Sequence, residues 1–278
     1  MKKINVLSLF DGMSCGQLAL SDHNVNKYYA SEIDKYAIQQ TQHNFPNTIQ
    51  LGSIENWKSW DINFSSIDLI LAGSPCQGFS FAGKQLNFSD PRSALFFVFV
   101  DILNHIKKLN PDVKFLLENV NMKKEYLRIM SEYVGVFPVN INSNLVSAQN
   151  RNRWYWSNIK TKEVGLFSET HTDIPQPKDR NIFLRDILQP ENEIKEKYYL
   201  SEVSTRKLNI DILKNSQIIG HSGTGGQKGV IHNINYKSSA LCATDYKQPK
   251  QICVSMVGRK LDKNGIRKDA DISIKVNA

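Results

Sequence analysis

With 278 residues, 41% of them hydrophobic, the chain can bury a sizeable core and form one large domain with a smaller one, which excludes a disordered or fibrous protein. Its four cysteines, at 15, 76, 242 and 253, show neither C-x-x-C pairing nor disulfide-scaffold density, and so predict reduced thiols, an intracellular location and no structural zinc site. The net charge of +8 favours a polyanionic partner, while the polar N-terminus and the lack of any run of about 18 apolar residues argue against secretion and membrane insertion.

In chain order, Ile4 to Phe10 reads as a strand. The glycine-bearing turn Asp11-Gly12-Met13-Ser14-Cys15-Gly16 follows, then a helical pattern from Gln17 to Leu20. Strand, glycine turn and helix form the unit that opens nucleotide-cofactor folds, although the full G-x-G-x-x-G is absent and an ordinary strand-to-helix turn reads the same way. The next strand, Lys27 to Asp34, ends in acids about 20 positions after the turn, where a carboxylate can accept both hydroxyl hydrogens of a ribose. Glu32 suits that role, and Asp34 suits the N-cap of a helix from Lys35 to Asn44. A third unit, Ile49 to Ile54, brings its end to the same edge. Strands alternating with helices imply a parallel sheet whose ligand lies beyond the strands' carboxyl ends.

The apolar run Ile67 to Ala72 reads as a buried strand, after which Gly73, Pro75 and Gly78 break regular structure. Proline fixes its own backbone and biases Ser74 toward an extended conformation, so Cys76 leaves the strand on a stiff loop, placed to act as a nucleophile. A buried structural cysteine in a turn is the alternative. Asp90-Pro91 marks a helix start, and an apolar helix runs from about Ser93 to Lys108. The strand Lys114 to Leu117 carries Glu118-Asn119-Val120 at its end. A helix from Lys124 to Tyr133 and a strand from Val136 to Asn142 lead to Ser147-Ala148-Gln149-Asn150-Arg151-Asn152-Arg153 and the aromatic Trp154-Tyr155-Trp156. Arg151 and Arg153, two apart, point the same way if the strand has begun, and otherwise form a solvated basic edge.

From Lys160 the alternating patterns fade, and Pro175, Pro177 and Pro190 mark a linker-like passage, which places a domain boundary near residue 162. Asn181 to Leu188 has the pattern of a short helix. The glycine-rich stretch from 220 to 229 lacks P-loop order and suits either close backbone approach to the phosphates of a polyanionic partner or a surface loop. Lysines beside hydroxyls from 237 to 247 suit contact with the phosphates of a polyanion. Cys242 and Cys253 read as small buried residues.

Taken together, Leu9-Phe10-Asp11-Gly12 with Gly16, Ala30-Ser31-Glu32, Gly73-Ser74-Pro75-Cys76, Glu118-Asn119-Val120 and Gln149-Asn150-Arg151-Asn152-Arg153 resemble, in order and spacing, the motifs of the DNA cytosine-5 methyltransferases. The resemblance covers about residues 4 to 159 and is closest to phage or bacterial members related to the eukaryotic de novo methyltransferases. It implies an α/β fold with a doubly wound, mostly parallel Rossmann-like sheet that binds S-adenosylmethionine (residues 1 to 162), followed by a smaller, less regular target-recognition domain (163 to 278). The implied partner is double-stranded DNA. An RNA cytosine-5 methyltransferase of the same architecture, or a non-catalytic DNA-binding relative, is the rival reading.

Carried onto this sequence, the resemblance implies that the Cys76 thiolate adds to carbon 6 of a flipped cytosine and makes carbon 5 able to take the methyl group. Glu118 would meet ring nitrogen 3 and the exocyclic amine, which requires its carboxyl to carry a proton at that step. Arg153 would hold the pyrimidine carbonyl oxygen and orient Glu118, with Arg151 beside it, and the loop Gln77 to Phe88 would close over the base. For the cofactor, Phe10 and Pro75 would line its site, the backbone from Asp11 through Gly12 to Gly16 would surround the methionine moiety, Glu32 would take the ribose, and Ile33 and Ile54 would sandwich adenine. Where many members place an acid that meets the adenine amino group, this chain has Gly52-Ser53, which leaves Ser53 to accept a hydrogen bond. No match to the family's closing motifs is found between 200 and 278, so a second polypeptide supplying them, or a truncated and inactive chain, is a further expectation.

Overall fold

The computed structural model describes residues 2–75, 91–199, 208–210, 216–222, 229–242, 245, 250–253, 260–261 and 267–268. They fall into two compact units. Unit 1 holds residues 1–141 and 152–176, and unit 2 holds 142–151 and 177–278.

Unit 1 is built on β1 (Ile4–Leu9), β2 (Val25–Ser31), β3 (Ile49–Gln50), β4 (Leu69–Gly73), β5 (Lys114–Val120), β6 (Val139–Asn142) and, after the short β7 (Gln149–Asn150) of unit 2, β8 (Asn152–Ser157). The sheet order is β3-β2-β1-β4-β5-β8-β6. Pairing is parallel from β3 through β5, and β8 runs antiparallel to β5. The chain moves outward on one side through β2 and β3, then crosses to the other side for β4 and β5. The switch point therefore lies between β1 and β4, and a crevice opens beyond the carboxyl ends of strands at such a point. This is the doubly wound α/β sheet expected from the sequence.

The strands near the switch point are almost continuously apolar because both faces are covered. On one face Leu7, Leu9, Ile70, Phe115 and Leu117 meet Phe96, Phe99, Leu103 and Ile106 of the helix α3, whose spacing of three and four makes a single apolar stripe. On the other face Val6, Tyr28, Ala30 and Leu69 form a smaller cluster with Leu20 and Leu71. The helices are α1 (Cys15–Ala19), α2 (Lys35–Asn44), α3 (Pro91–Leu109) and α4 (Lys124–Val134). Helix α2 has the predicted bounds because Asp34 caps it, its Oδ1 accepting from the Tyr36 and Ala37 N–H groups at 2.9 Å each. Helix α4 stops at Gly135, whose φ of 80° only glycine adopts freely. Trp156, fully buried, donates through Nε1 to Ser131 Oγ at 3.0 Å and pins β8 to α4.

The expected boundary at 162 differs from the division observed at 176 and 177. The hairpin of β9 (Thr161–Val164) and β10 (Glu169–Thr172) is tied back to unit 1: Phe137 N–H donates to Thr170 O and Thr172 N–H to Phe137 O, each at 2.8 Å. Fading periodicity marked the end of the sheet and not the end of its packing. Residues 142–151 belong to unit 2 because β7 pairs with Ser238–Ser239 and not with the main sheet.

In unit 2, β11 (Leu208–Ile210), β12 (Ile218–Ser222), β13 (Val230–Asn233) and β15 (Gln251–Cys253) form a four-stranded sheet, with β14 (Ser238–Ser239) as the partner of β7. Ile219, Ile231, His232, Ile252 and Cys253 are buried there. Cys242, expected to be buried, is exposed. Its N–H is held by Asp245 in a turn, so no strand carries the side chain inward. The helix expected over 181 to 188 reduces to a single 3-10 turn, Leu184–Asp186. There the Arg185 N–H bonds the Ile234 carbonyl and the Leu184 N–H bonds the Tyr236 carbonyl, which draws the backbone away from helical pairing. The glycine-rich positions 223–228 lie outside the described residues.

Candidate active site

The turn after β1 is strained and tightly braced. Phe10, Gly12 and Ser14 all have positive φ, at 56°, 61° and 60°, and for the two residues with side chains that conformation is costly unless the surroundings enforce it. Asp11 supplies part of the bracing. Its N–H donates to the Ser31 carbonyl at 3.2 Å, its Oδ1 accepts from the Tyr28 hydroxyl at 2.8 Å, and its Oδ2 accepts from the Ser14 hydroxyl. Glu32 supplies the rest. One carboxylate oxygen accepts from Gly12 N–H at 2.8 Å, and the other accepts from Ile33 and Asp34 N–H at 2.7 and 2.8 Å. Glu32 thus ties the end of β2 to the turn after β1, and three of its roughly four lone-pair positions are engaged.

Gly16 has a reason the sequence did not reveal. A Cβ at this position would stand 2.6 Å from Leu71 Cδ1 and 2.7 Å from Tyr28 Oη. Helix α1 approaches the sheet too closely for any side chain here, so packing alone requires this glycine.

Beside Glu32, Ile33 is 76% exposed and presents an open apolar face. Ile54 does not match it, being 5% exposed and part of the main core. It begins the 3-10 helix Ile54–Ser59, which packs Trp57 and Trp60 inward, so its side chain is drawn beneath the surface. Ser53 caps that helix, its Oγ accepting from Glu55 N–H at 3.3 Å, so its hydroxyl is already engaged.

At the ends of the next strands, Gly73 of β4 lies opposite Glu118 of β5, and Glu118 lies opposite Tyr155 of β8. Arg153 sits two residues from Tyr155 on the same face, at the diagonal position where long side chains meet. Its Nε is 2.8 Å from Glu118 Oε1, with the two side chains 17% and 27% exposed. The Nε–H is not aligned on that oxygen, so the contact is an ion pair without a good hydrogen bond. Arg153 also donates through Nη1 to the Asn152 carbonyl at 2.8 Å.

Arg151 precedes this strand. The strand begins at Asn152, one residue too late for the two arginines to share its face. Arg151 donates its N–H to Asn142 Oδ1 at 3.0 Å and belongs to unit 2. Cys76 and the loop from 77 to 88 lie outside the described residues. Pro75, half-buried, is the last described residue before them.

Asn119 is the residue that sequence reasoning passed over. It is 1% exposed, donates through Nδ2 to Ser74 Oγ at 2.9 Å, and accepts through Oδ1 from Val120 N–H at 2.8 Å. It fastens the end of β5 to the exit of β4, two residues before Cys76. An asparagine where alternation assigns a buried side chain was the available signal.

The edge therefore brings a carboxylate and a guanidinium together at the ends of β5 and β8, and a second carboxylate and an exposed apolar side chain together at the end of β2. Among the described residues no group of His, Cys, Asp or Glu could hold a metal ion, and no helix is long and apolar enough to cross a membrane.

The model of the C-5 cytosine-specific DNA methylase family matches residues 4–268. Among curated proteins, the chain is similar to the orphan methyltransferase M.Rho11sI of Bacillus phage rho11s, with 32% identity over 247 residues that cover 75% of this chain and 48% of that one. It is also similar to the type II methyltransferase M.HaeII of Haemophilus aegyptius, with 29% identity over 218 residues covering 74% and 64%. The chain thus spans about half to two thirds of the length of these relatives. Among solved structures, the Entamoeba histolytica methyltransferase EhMeth superposes with a TM-score of 0.60 at 17% identity, covering 94% of this chain and 79% of that one, a likeness of fold.

Proposed function

Because the chain belongs to the C-5 cytosine-specific DNA methylase family, we propose that it transfers a methyl group from S-adenosylmethionine to carbon 5 of cytosine in double-stranded DNA, through a covalent Cys76 adduct on a flipped base. The observation that carries this reading is the Glu118–Arg153 pair at 2.8 Å, set at the strand ends beside the segment that leads to Cys76 and held in register with it by Asn119 and Ser74.

The methyl donor supplies an electrophilic methyl group on a sulfonium. Its proposed site is the edge formed by the Asp11–Gly16 turn, Glu32 and Ile33. The fit rests on two features: a strained turn whose shape is enforced before any ligand arrives, and an exposed isoleucine beside a carboxylate. Glu32 holds the turn and has one lone-pair position left for a ribose hydroxyl. Ile33 covers one face of the adenine.

On the base, the Cys76 thiolate adds to carbon 6, and the electron pair of the C5–C6 double bond moves toward carbon 5, which becomes the nucleophile. Glu118, carrying a proton at this step, donates to nitrogen 3 and accepts from the exocyclic amine. Arg153 donates to the carbonyl oxygen, and its side chain, 2.8 Å from Oε1, keeps the Glu118 carboxyl at the edge of the ring. After carbon 5 has been methylated it loses its proton to a base, the ring double bond re-forms, and the sulfur leaves as thiolate. The positive charge of Arg153 favours the thiolate at both ends of the sequence.

The test is covalent trapping. Duplex DNA carrying 5-fluorocytosine is expected to form a stable adduct on Cys76 in the presence of the methyl donor, because fluorine cannot leave as the proton does. Cys76→Ala is expected to abolish both adduct and methyl transfer while donor binding stays within a few fold. An adduct on another residue, or transfer by the alanine variant, would refute the mechanism. Labelling of folded RNA in preference to duplex DNA would refute the substrate.

A further inference from the structure

The strained turn after β1 raises the question of what keeps two non-glycine residues, Phe10 and Ser14, in the left-handed region. Such conformations persist only where neighbouring contacts over-determine them. The contacts converge on the Asp11 carboxylate, which has one hydroxyl donor on each oxygen: Tyr28 on Oδ1 and Ser14 on Oδ2. Ser14 lies within the turn and moves with it. Tyr28 does not, because it sits on β2, is 4% exposed, and packs with Val6, Ala30 and Leu69. Its hydroxyl is therefore a fixed point of the sheet to which the turn is attached through Asp11.

We infer that Tyr28 is a positioning residue for the methyl-donor site: it touches no ligand, and through Asp11 it sets the geometry of the turn that would surround the donor.

Three observations support this. Burial, and then the neighbouring Asp11 charge, push the phenol's pKa well above its ordinary value, so the hydroxyl remains a donor throughout the working pH range. The same oxygen occupies the space in which a Cβ on residue 16 would fall, 2.7 Å away, so Tyr28 also sets how closely α1 approaches the sheet. The turn's other ties outside itself engage its backbone, Asp11 N–H on the Ser31 carbonyl, Gly12 N–H on Glu32 and the Thr41 hydroxyl on the Gly12 carbonyl, so the Tyr28 bond is the one that fastens the Asp11 side chain to the sheet. Asp11, with both oxygens occupied, acts as the strut between Tyr28 and the turn.

This inference rests on the proposed methyl-donor site, and the experiment separates the two. Calorimetry with S-adenosylmethionine is run on the unaltered chain, on Tyr28→Phe and on Ser14→Ala, each checked for an intact thermal transition. Tyr28→Phe keeps the ring and its packing and removes only the hydroxyl. It is expected to weaken donor binding about tenfold, roughly what one hydrogen bond to a charged acceptor contributes, and in turnover assays to raise the donor KM by a similar factor while kcat changes far less. Ser14→Ala, which removes the other donor on the same carboxylate, is expected to act in the same direction, and it decides the matter if the phenylalanine variant fails to fold. Amide exchange from Gly12 to Gly16 is expected to quicken in both variants. Donor affinity within twofold of the unaltered chain in both folded variants would overturn the role of Tyr28 and leave the donor site standing. Failure of the unaltered chain to bind the donor would overturn the site, and this inference with it.

Discussion

Replacing Asn119 by alanine tests whether the ends of β4 and β5 are locked together. The change removes the Nδ2 donor 2.9 Å from Ser74 Oγ and the Oδ1 acceptor 2.8 Å from Val120 N–H, at a position that is 1% exposed. The lost side-chain bond is worth about 1 kcal/mol, stranding the Val120 N–H about 1–2, and the vacated space about 1, for a total of about 3–4 kcal/mol. Ser74→Ala removes only the shared bond and should cost about 1 kcal/mol. Since the two side chains share that bond, the double variant should cost about 1 kcal/mol less than the two single losses added together. Urea denaturation of the four proteins, followed by circular dichroism, measures this directly. A coupling below about 0.3 kcal/mol would refute the latch, because additivity within that margin marks independent sites. Methyl transfer provides a second readout. Ser74 stands two residues before Cys76, so Ser74→Ala is expected to slow turnover on duplex DNA several-fold more than its small stability loss explains.

Gly16→Ala is expected to lower stability by about 1–3 kcal/mol, the usual cost of forcing atoms into a packed place. Leu71 can swing aside, but Tyr28 cannot move without breaking its bond to Asp11. A melting temperature equal to that of the unaltered chain would show that α1 shifts freely. In unit 2, burial, followed by the charge of Lys250, brings His232 down to about 4. The folded value lies below the unfolded one, so the unfolded state binds more protons between them. Stability is thus complete above pH of about 6.5 and falls as pH drops toward 4, by up to about 3 kcal/mol. His232→Gln should flatten that slope, and an unchanged slope would assign it to other groups.

Much of the sheet was legible because its signals are local. Apolar runs bounded by glycine and proline gave β1, β4 and β5, and Asp34 gave the start of α2. What escaped was set by partners distant in sequence. No local pattern distinguishes an antiparallel β8 from one more parallel strand, since its direction is fixed by pairing with β5. Whether Arg151 and Arg153 share a strand face depends on where the strand begins, and local sequence does not show that the chain at Arg151 is still bonded to Asn142. Ile54 and Ser53 have the side chains an adenine pocket would use, but a 3-10 helix claims both, one for the core and one for its cap. Asp11 and Glu32 stand after β1 and β2, as the order of strands and turns implied, but what their carboxylates hold was invisible. The carboxylates of Asp11 and Glu32 hold the protein's own hydroxyl and amide groups, and only coordinates show which donors reach them.

The pinning of β8 to α4 by Trp156 has a practical side. All four tryptophans, at 57, 60, 154 and 156, lie in unit 1, and unit 2 has none. Trp60 and Trp156 are almost wholly shielded from water, so their emission should be blue-shifted in the native state and move to the red when unit 1 opens. Indole fluorescence is therefore a private channel for the unit that carries the turn after β1 and the Glu118–Arg153 pair. The melting of the second unit passes through that channel unseen and must be followed through its tyrosines, Tyr198, Tyr199, Tyr236 and Tyr246. Because unit 1 holds the other six tyrosines, at 28, 29, 36, 126, 133 and 155, the tyrosine signal reports both units, and the melting of unit 2 is what remains after the tryptophan transition has been subtracted.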